Sequence, residues 1–477
     1  MKNMNGLVQS ASGLILSCLL LVSMDLKAAE YYIDPVNGSL NGDGSINDPW
    51  RTLQEVLESG RVETRNWQDF PPQDDTPLEI VNGGAPVQSG DTLWLRSGYH
   101  GNFSIRGAYN TSAITIAAAP GHQPRLSHID IKSAQHWHIK GVYISPSFSP
   151  SPVDAGTIVA IENHNFFGPA YDIVVEDSHI YTVDNASAWG ASEWINETKS
   201  GVKVAADRVS IIRNNVRNVR FGMSVTGNQA LIARNTIDGF SADGIRGLGN
   251  GNTYEYNRIQ NCYVSSGQGD GNHDDGFQSW SVGSNGVGTG EVRDVVLRGN
   301  TFINFTDPDN PLNAPMQGIG CFDGNFVNWV VENNVVITNH WHGISFYGMI
   351  DSRIVNNSLL DLNDENPGPP WIRVTASGQS DSQNVVVRNN LSPTFSLSGV
   401  NITDDHNISI NDSNVDQIYN NRPYQLMLKP GSPAIDAGTA VEAPNEDITE
   451  YPRPQGSGID VGAFEFRNDL IFFSDFE

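Results

Sequence analysis

Along most of the chain apolar and polar residues alternate in short runs, and the runs end on glycine or asparagine. Alternation with a period of two marks a strand whose two faces meet different surroundings. Six runs share one pattern: KSGVKV (199–204), RFGMSV (220–225), ADGIRG (242–247), DDGFQS (274–279), MQGIGC (316–321) and WHGISF (341–346). Each places a glycine, an apolar residue, a variable residue and then, in most, an apolar or small one. Asparagine follows thirteen residues after the glycine at Asn214, Asn235, Asn257 and Asn356, and fifteen after at Asn333. It comes later still at Asn300, where VGSNGVGTGE is inserted. A second strand fills each interval, as in VSIIRNN, ALIARNT, VVLRGNT, WVVENNV and SRIVNNS, and NVVVRNN (384–390) continues the series.

A repeat near 21 or 22 residues predicts a solenoid. No helical apolar stripe lies between the strands, which excludes leucine-rich and helical repeats. The pattern predicts an all-β, right-handed parallel β-helix with three short strands per coil. Glycine and asparagine at its corners tolerate left-handed backbone, and asparagines recurring at one corner can stack as a hydrogen-bonded ladder. DPWRTLQEVLESG (48–60) is the clearest helix, with Thr52-Leu53-Gln54-Glu55 as a capping box, and is expected to cover the open N-terminal end. GDTLWLRSGYH, ITIAAAPGHQPRLSHIDI and HWHIKGVYIS form the first coils, and residues 60–85 a loop insertion. The organisation expected is a signal peptide over 1–29, the β-helix with its cap over 30–395, and C-terminal coils with a terminal segment over 396–477.

Composition narrows the function. Glycine is abundant (47 residues), and 54 acidic residues face only 28 lysines and arginines, for a net charge of −26. That charge excludes nucleic acid as a partner, because phosphate contacts need a basic surface. Lys2, the apolar run GLILSCLLLVSM and the small pair Ala28-Ala29 predict an exported protein, secreted, periplasmic or on the cell surface. No later stretch is long enough to span a membrane. Cys262 and Cys321 either pair in an oxidising compartment or sit as two small buried residues, and their spacing fits no structural zinc pattern. A monomer is expected.

On successive coils equivalent positions lie about 4.8 Å apart. Val202, Met223, Ile245, Phe277, Ile319 and Ile344 then point inward, while Lys203, Ser224, Arg246, Gln278, Gly320 and Ser345 line the outer face. The preceding corner adds Lys199, Arg220, Asp243, His273-Asp274-Asp275, Gln317 and His340-Trp341-His342. Three aspartates converging on adjacent coils repel unless a cation or a shared proton relieves them, and Ca²⁺ is the cation that several carboxylates suit. Asp-Gly is also a common turn pair. Lys199, Lys203, Arg220 and Arg246 would draw an anionic sugar, Arg246 gripping its carboxylate in bidentate fashion; lattice ion pairs are the competing reading. Arg213, Arg234, Arg298 and Arg388 fall on another face and are structural. His273 and His342 are acid–base candidates, and Trp341 can stack on a sugar ring.

YYIDPVNGSLNGDGSINDPWRTLQ with SGDTLWLRSGYH, and LKPGSPAIDAGTAVEA with RPQGSGIDVGAFEF near the end, resemble segments of secreted bacterial β-helix proteins of the pectin-lyase type. SADGIRG and HDDGFQS also resemble the calcium-dependent pectate lyases of the ninth polysaccharide-lyase family. That resemblance implies Asp243, Asp274 and Asp275 as Ca²⁺ ligands. The family's further aspartate is Gln278 here, and its catalytic lysine falls at Gly320.

The expectation is a polysaccharide lyase that cleaves an acidic, uronate polysaccharide by β-elimination. Lys203, His273 or His342 would take the proton, and Lys199, Arg220, Gln278 and Trp341 would bind substrate. A uronate C5-epimerase shares the first step. A glycoside hydrolase using Asp243 and Asp275 and a non-catalytic surface glycan-binding or adhesion protein are the alternatives.

Overall fold

The computed structural model describes residues 28–153, 155–363 and 366–467. The signal peptide expected over 1–29 and the NDLIFFSDFE tail lie almost wholly outside the described residues. Among the described residues, no helix is long and apolar enough to cross a membrane.

The chain winds through three parallel faces. One face stacks Thr157–Glu162, Ser200–Ala205, Met223–Val225, Ile245–Gly247, Asp274–Trp280, Met316–Asp323, His342–Tyr347, Trp371–Thr375 and Thr394–Leu397, each in parallel register with the next. A second runs from Tyr171–Glu176 through Ser210–Ile212 and Leu231–Ala233 to Val400–Asp405. The third is a twelve-stranded sheet of short strands from Gly98–Tyr99 to Ile408–Ser409. The long strands Phe103–Ala118 and Ile129–Lys140 bend round a corner and join the first two faces. Two excursions leave the coil. Residues 60–85 hold an antiparallel pair, Thr64–Trp67 with Leu78–Val81, and VGSNGVGTGE folds as a small hairpin.

The inward column is as the alternation predicts: Val202, Met223, Ile245, Phe277, Ile319 and Ile344 are all buried in one continuous apolar core. The glycine before each serves a purpose other than left-handed backbone. A Cβ on Gly222 would lie 2.3 Å from the carbonyl oxygen of Gly244, and one on Gly318 would lie 2.3 Å from that of Gly343. The coils stack too closely there for any side chain.

Left-handed backbone falls instead just before the asparagine corner, at Arg213, Arg234, Tyr256, Gly299, Asn333, Asn356, Asn389 and His406. The next residue on each coil builds the ladder. Asn214, Asn235, Asn257, Asn300, Asn334, Asn357, Asn390 and Asn407 each accept from the one before. Asn333 and Asn356, expected in the ladder, sit one residue short of it. Their amides hold the C-terminal segment, donating to Glu446 O and to Asp460 O. That segment covers the outside of the third face with a second apolar cluster that includes Ile337, Leu360, Ile418 and Val461. It also carries a fully buried ion pair, Arg453 with Glu465.

Near the N-terminus the expected helix spans Leu53–Glu58. Thr52 is its N-cap, accepting from the Glu55 amide, and Leu53 and Val56 are buried in the core. Glu55 pairs with Arg51 rather than closing a capping box.

Candidate functional site

The first face positions the site. Backbone pairing sets Asp243 beside Asp275 on the next coil, and Asp275 opposite Gln317 on the one after. The outward column runs Lys203, Ser224, Arg246, Gln278, Gly320, Ser345, as alternation predicts. The loop at 263–273 folds against this strip and delivers Asp270 and Asn272, two residues that sequence reasoning missed.

The aspartates are buried rather than open to solvent. Asp243 and Asp275 have no exposed surface, and Asp270 and Asp274 almost none. Burial pushes the Asp274 carboxyl up to about 8 and that of Asp275 up to about 7, and it raises Asp243 as well. Asp243 is held on all sides: one oxygen takes Nε of Arg246, and the other accepts from the Asp275 amide at 3.1 Å and from Asn272 at 3.3 Å. Asp275 Oδ2 meets His273 Nδ1 at 3.0 Å and Gln278 Nε2 at 3.0 Å. Its Oδ1 is buried without a hydrogen bond, and Gly320 closes on it so tightly that a Cβ there would lie 2.4 Å away. The residue standing where the pectate-lyase lysine falls therefore has no room for a side chain.

This geometry bears on the calcium expectation for Asp243, Asp274 and Asp275. Among the described residues, no group of three or more His, Cys, Asp or Glu side chains is arranged to hold a metal ion. The cation beside Asp243 is the Arg246 guanidinium, and the lone unengaged oxygen of Asp275 faces Gly320. Both oxygens of Asp243 are thus taken by protein donors.

The four cations part company. Lys203 pairs with Glu162 on the preceding coil at 2.9 Å, and Arg220 pairs with buried Asp270 at 2.9 Å. Both pairs are the lattice bridges that the competing reading anticipated. Lys199 lies beside Arg220 on the preceding coil, its carbonyl accepting from the Arg220 amide. Arg246 alone combines a carboxylate partner with an outward fork. Its guanidinium lies between the rings of Phe221 and Trp280, 3.9 and 5.4 Å from their centroids. Its two Nη groups make no hydrogen bond among the described residues.

The histidines differ in kind. His273 is the open one: its side chain is 63% exposed, and Nδ1 is fixed by the buried Asp275 carboxylate. That hydrogen bond raises its pKa above the ordinary imidazole value, against the opposing effect of burial. His342 and His340 are pushed down to about 4, first by burial, and so are neutral at neutral pH. His342 Nδ1 meets Ser345 Oγ at 2.9 Å, and its ring packs edge-on to Phe322. Trp341 is 45% exposed and lies nearly parallel to Trp371, 6.4 Å between centroids. Cys262 and Cys321 are free and buried beneath the strip.

Residues 200–359 match a family described as right handed beta helix region. The chain is a right-handed parallel β-helix. A search of curated protein sequences finds no match. Among solved structures it is similar to the pectate lyase Pel9A, with TM-score 0.44 and 14% identity over 93% of this chain and 98% of that chain. It is similar also to a rhamnogalacturonan lyase, with TM-score 0.38 and 12% identity over 81% and 90% of the two chains. An alginate lyase from Paenibacillus sp. matches with TM-score 0.36 and 12% identity over 68% and 94%.

Proposed function

We propose that this β-helix is an exported polysaccharide lyase that cleaves a uronate polymer by β-elimination, with His273 as base and Arg246 as the group that binds the carboxylate. One observation carries the reading: an exposed imidazole is tied through Nδ1 to fully buried Asp275, whose amide donates to Asp243, the carboxylate that holds the aromatic-flanked Arg246 guanidinium by Nε alone. The Asp275 hydrogen bond fixes the tautomer and leaves Nε2 for the substrate. A raised pKa makes the imidazole a stronger base, which suits removal of a weakly acidic C–H proton.

Arg246 meets the sugar carboxylate and neutralises the charge that builds on it as the neighbouring C5–H bond breaks. The proton passes to His273 Nε2. Its electron pair becomes the C4=C5 double bond while the C4–O bond opens, and the departing oxygen is protonated from solvent. Asp243 acts through Arg246, and Asp275 and Gln278 act through His273, as positioning residues. Hydrolysis by an Asp243–Asp275 pair is disfavoured, since both carboxylates are fully buried and Asp243 has each oxygen engaged. Lys203 and His342 recede as bases, the first bound to Glu162 and the second made a weaker base by burial and bonded to Ser345. Arg220, bound to Asp270, recedes as a substrate contact.

Replacing the base tests this. His273→Gln should cut kcat by about a hundredfold or more, the scale of general-base catalysis, while binding of oligouronate stays within about threefold of the parent. A variant that keeps more than a tenth of the parental kcat would remove His273 from the reaction.

A further inference from the structure

Four coils beyond Arg246, the outward column carries a second arginine. Backbone register runs Arg246, Gln278, Gly320, Ser345, Arg373, so the two arginines lie four strand steps apart on one face. At strand spacing that is about 19 Å. Arg373 resembles Arg246 in its aromatic neighbours: its guanidinium lies 5.2 Å from the ring centroid of Trp371 and 5.6 Å from that of Tyr347. The partner is different. Arg373 Nη1 donates to the Ser396 hydroxyl at 2.9 Å, and no carboxylate among the described residues pairs with it. Its Nε is buried without a hydrogen bond. In a chain where acids outnumber bases 54 to 28, this guanidinium stands on the same face as Arg246. Trp341, the exposed ring beside it, stacks along Trp371 on the same edge.

We infer that Arg373 is a distal subsite for a second carboxylate of the same polyuronate chain, with Trp341 as its sugar-stacking wall, so that the polymer lies lengthwise across the coils from Arg246 to Arg373. The neutral histidines on the coil between, His340 and His342, place no charge in its path. The inference rests on the reading of Arg246 and His273 given above. It adds a consequence for substrate length: short oligouronates reach Arg246 alone, and only longer ones engage both arginines.

The test is a length series of oligogalacturonates and oligomannuronates, with binding followed by calorimetry and turnover by unsaturated product, for the parent, Arg373→Gln, Arg373→Lys and Trp341→Ala. The expected result for Arg373→Gln is a tenfold to hundredfold loss of affinity and a matching rise in KM on long oligomers, the scale of a charge-assisted hydrogen bond. Short oligomers and kcat should be unchanged, with partial recovery in Arg373→Lys and a smaller, length-dependent loss in Trp341→Ala. An equal loss at every length, or none at any, overturns the subsite. Arg373-dependent, length-dependent binding without product would keep the subsite and overturn the lyase. Product with an unaltered length profile in Arg373→Gln would do the reverse.

Discussion

Asn257 is an interior rung of the asparagine ladder, and its replacement by alanine can be worked bond by bond. Its side chain accepts from the Asn235 amide at 3.0 Å and from Asn235 Nδ2 at 3.0 Å. It donates to Ile232 O at 2.7 Å and to Asn300 Oδ1 at 3.0 Å. Asn257→Ala removes all four bonds in a place that water does not reach. Asn235 Nδ2 keeps a second acceptor in Ile211 O, and Asn300 Oδ1 keeps the Asn257 amide. The Asn235 backbone N–H keeps nothing. A buried hydrogen bond contributes about 1 kcal/mol net and an orphaned buried donor costs about 1–3 kcal/mol, so the loss should be about 3–5 kcal/mol. Asn407, half-buried at the far end of the ladder, should cost only about 1 kcal/mol, because water replaces its partners. Equilibrium unfolding in urea gives the two losses, and amide hydrogen exchange at Asn235 gives the local one. An Asn257→Ala protein within about 0.5 kcal/mol of the parent, with the Asn235 amide still protected, would refute the claim that the ladder stabilises the coil.

Three further outcomes follow from the site. The Asp275 carboxylate raises the His273 pKa, so parental activity should climb with pH through an apparent value above the ordinary 6.5. Asp275→Asn should move that limb to lower pH while reducing kcat, and a limb that stays in place would dissociate the two residues. Asp274 keeps its proton to about pH 8 in the folded chain but releases it near 3.8 when unfolded. The folded state therefore holds the extra proton between those values, and stability from this group falls as pH rises from about 4 to about 8, by no more than about 6 kcal/mol. Asp274→Asn should flatten that slope and raise the thermal midpoint at pH 8.5, whereas an unchanged slope would place the titration elsewhere. Gly320→Ala should cost about 1–3 kcal/mol and most of the activity, since its Cβ would lie 2.4 Å from Asp275 Oδ1 and 2.7 Å from the Phe322 ring. A fully active, equally stable Gly320→Ala would show that Asp275 moves freely.

The architecture was legible because each coil repeats the same physical demand. Close stacking of backbone requires glycine at Gly222, Gly244 and Gly318, and the apolar residue after each must enter the core. The ladder was legible from Asn214 to Asn300 and slipped by one residue beyond it. There the left-handed position and the rung are both asparagine, Asn333-Asn334 and Asn356-Asn357, and identity alone does not separate them. The aspartate column was legible for the same reason as the glycines that follow it.

The pairing of charges was not legible. Glu162 lies 41 residues before Lys203, and Asp270 lies 50 residues after Arg220 in an excursion whose path no periodicity encodes. Arg373 was hidden by a local irregularity. The register shifts between His342 and Ile344, so the strand Trp371–Thr375 has no residue opposite Gly343 and lacks the glycine that marked its neighbours. Phe221, Trp280 and Phe322 enter the site only through where their rings turn, which depends on packing.

The proposed reaction is elimination by an imidazole and a guanidinium, with no step assigned to a metal. Its most direct measurement is the ultraviolet absorbance of unsaturated uronate formed from polygalacturonate and alginate by the purified protein, in excess chelator and again with added calcium. The expected result is a rise on at least one polymer that persists in chelator and disappears in His273→Gln. A rise that needs calcium would contradict the metal-free step assigned to His273 and Arg246, and saccharide products lacking the double bond would contradict elimination itself.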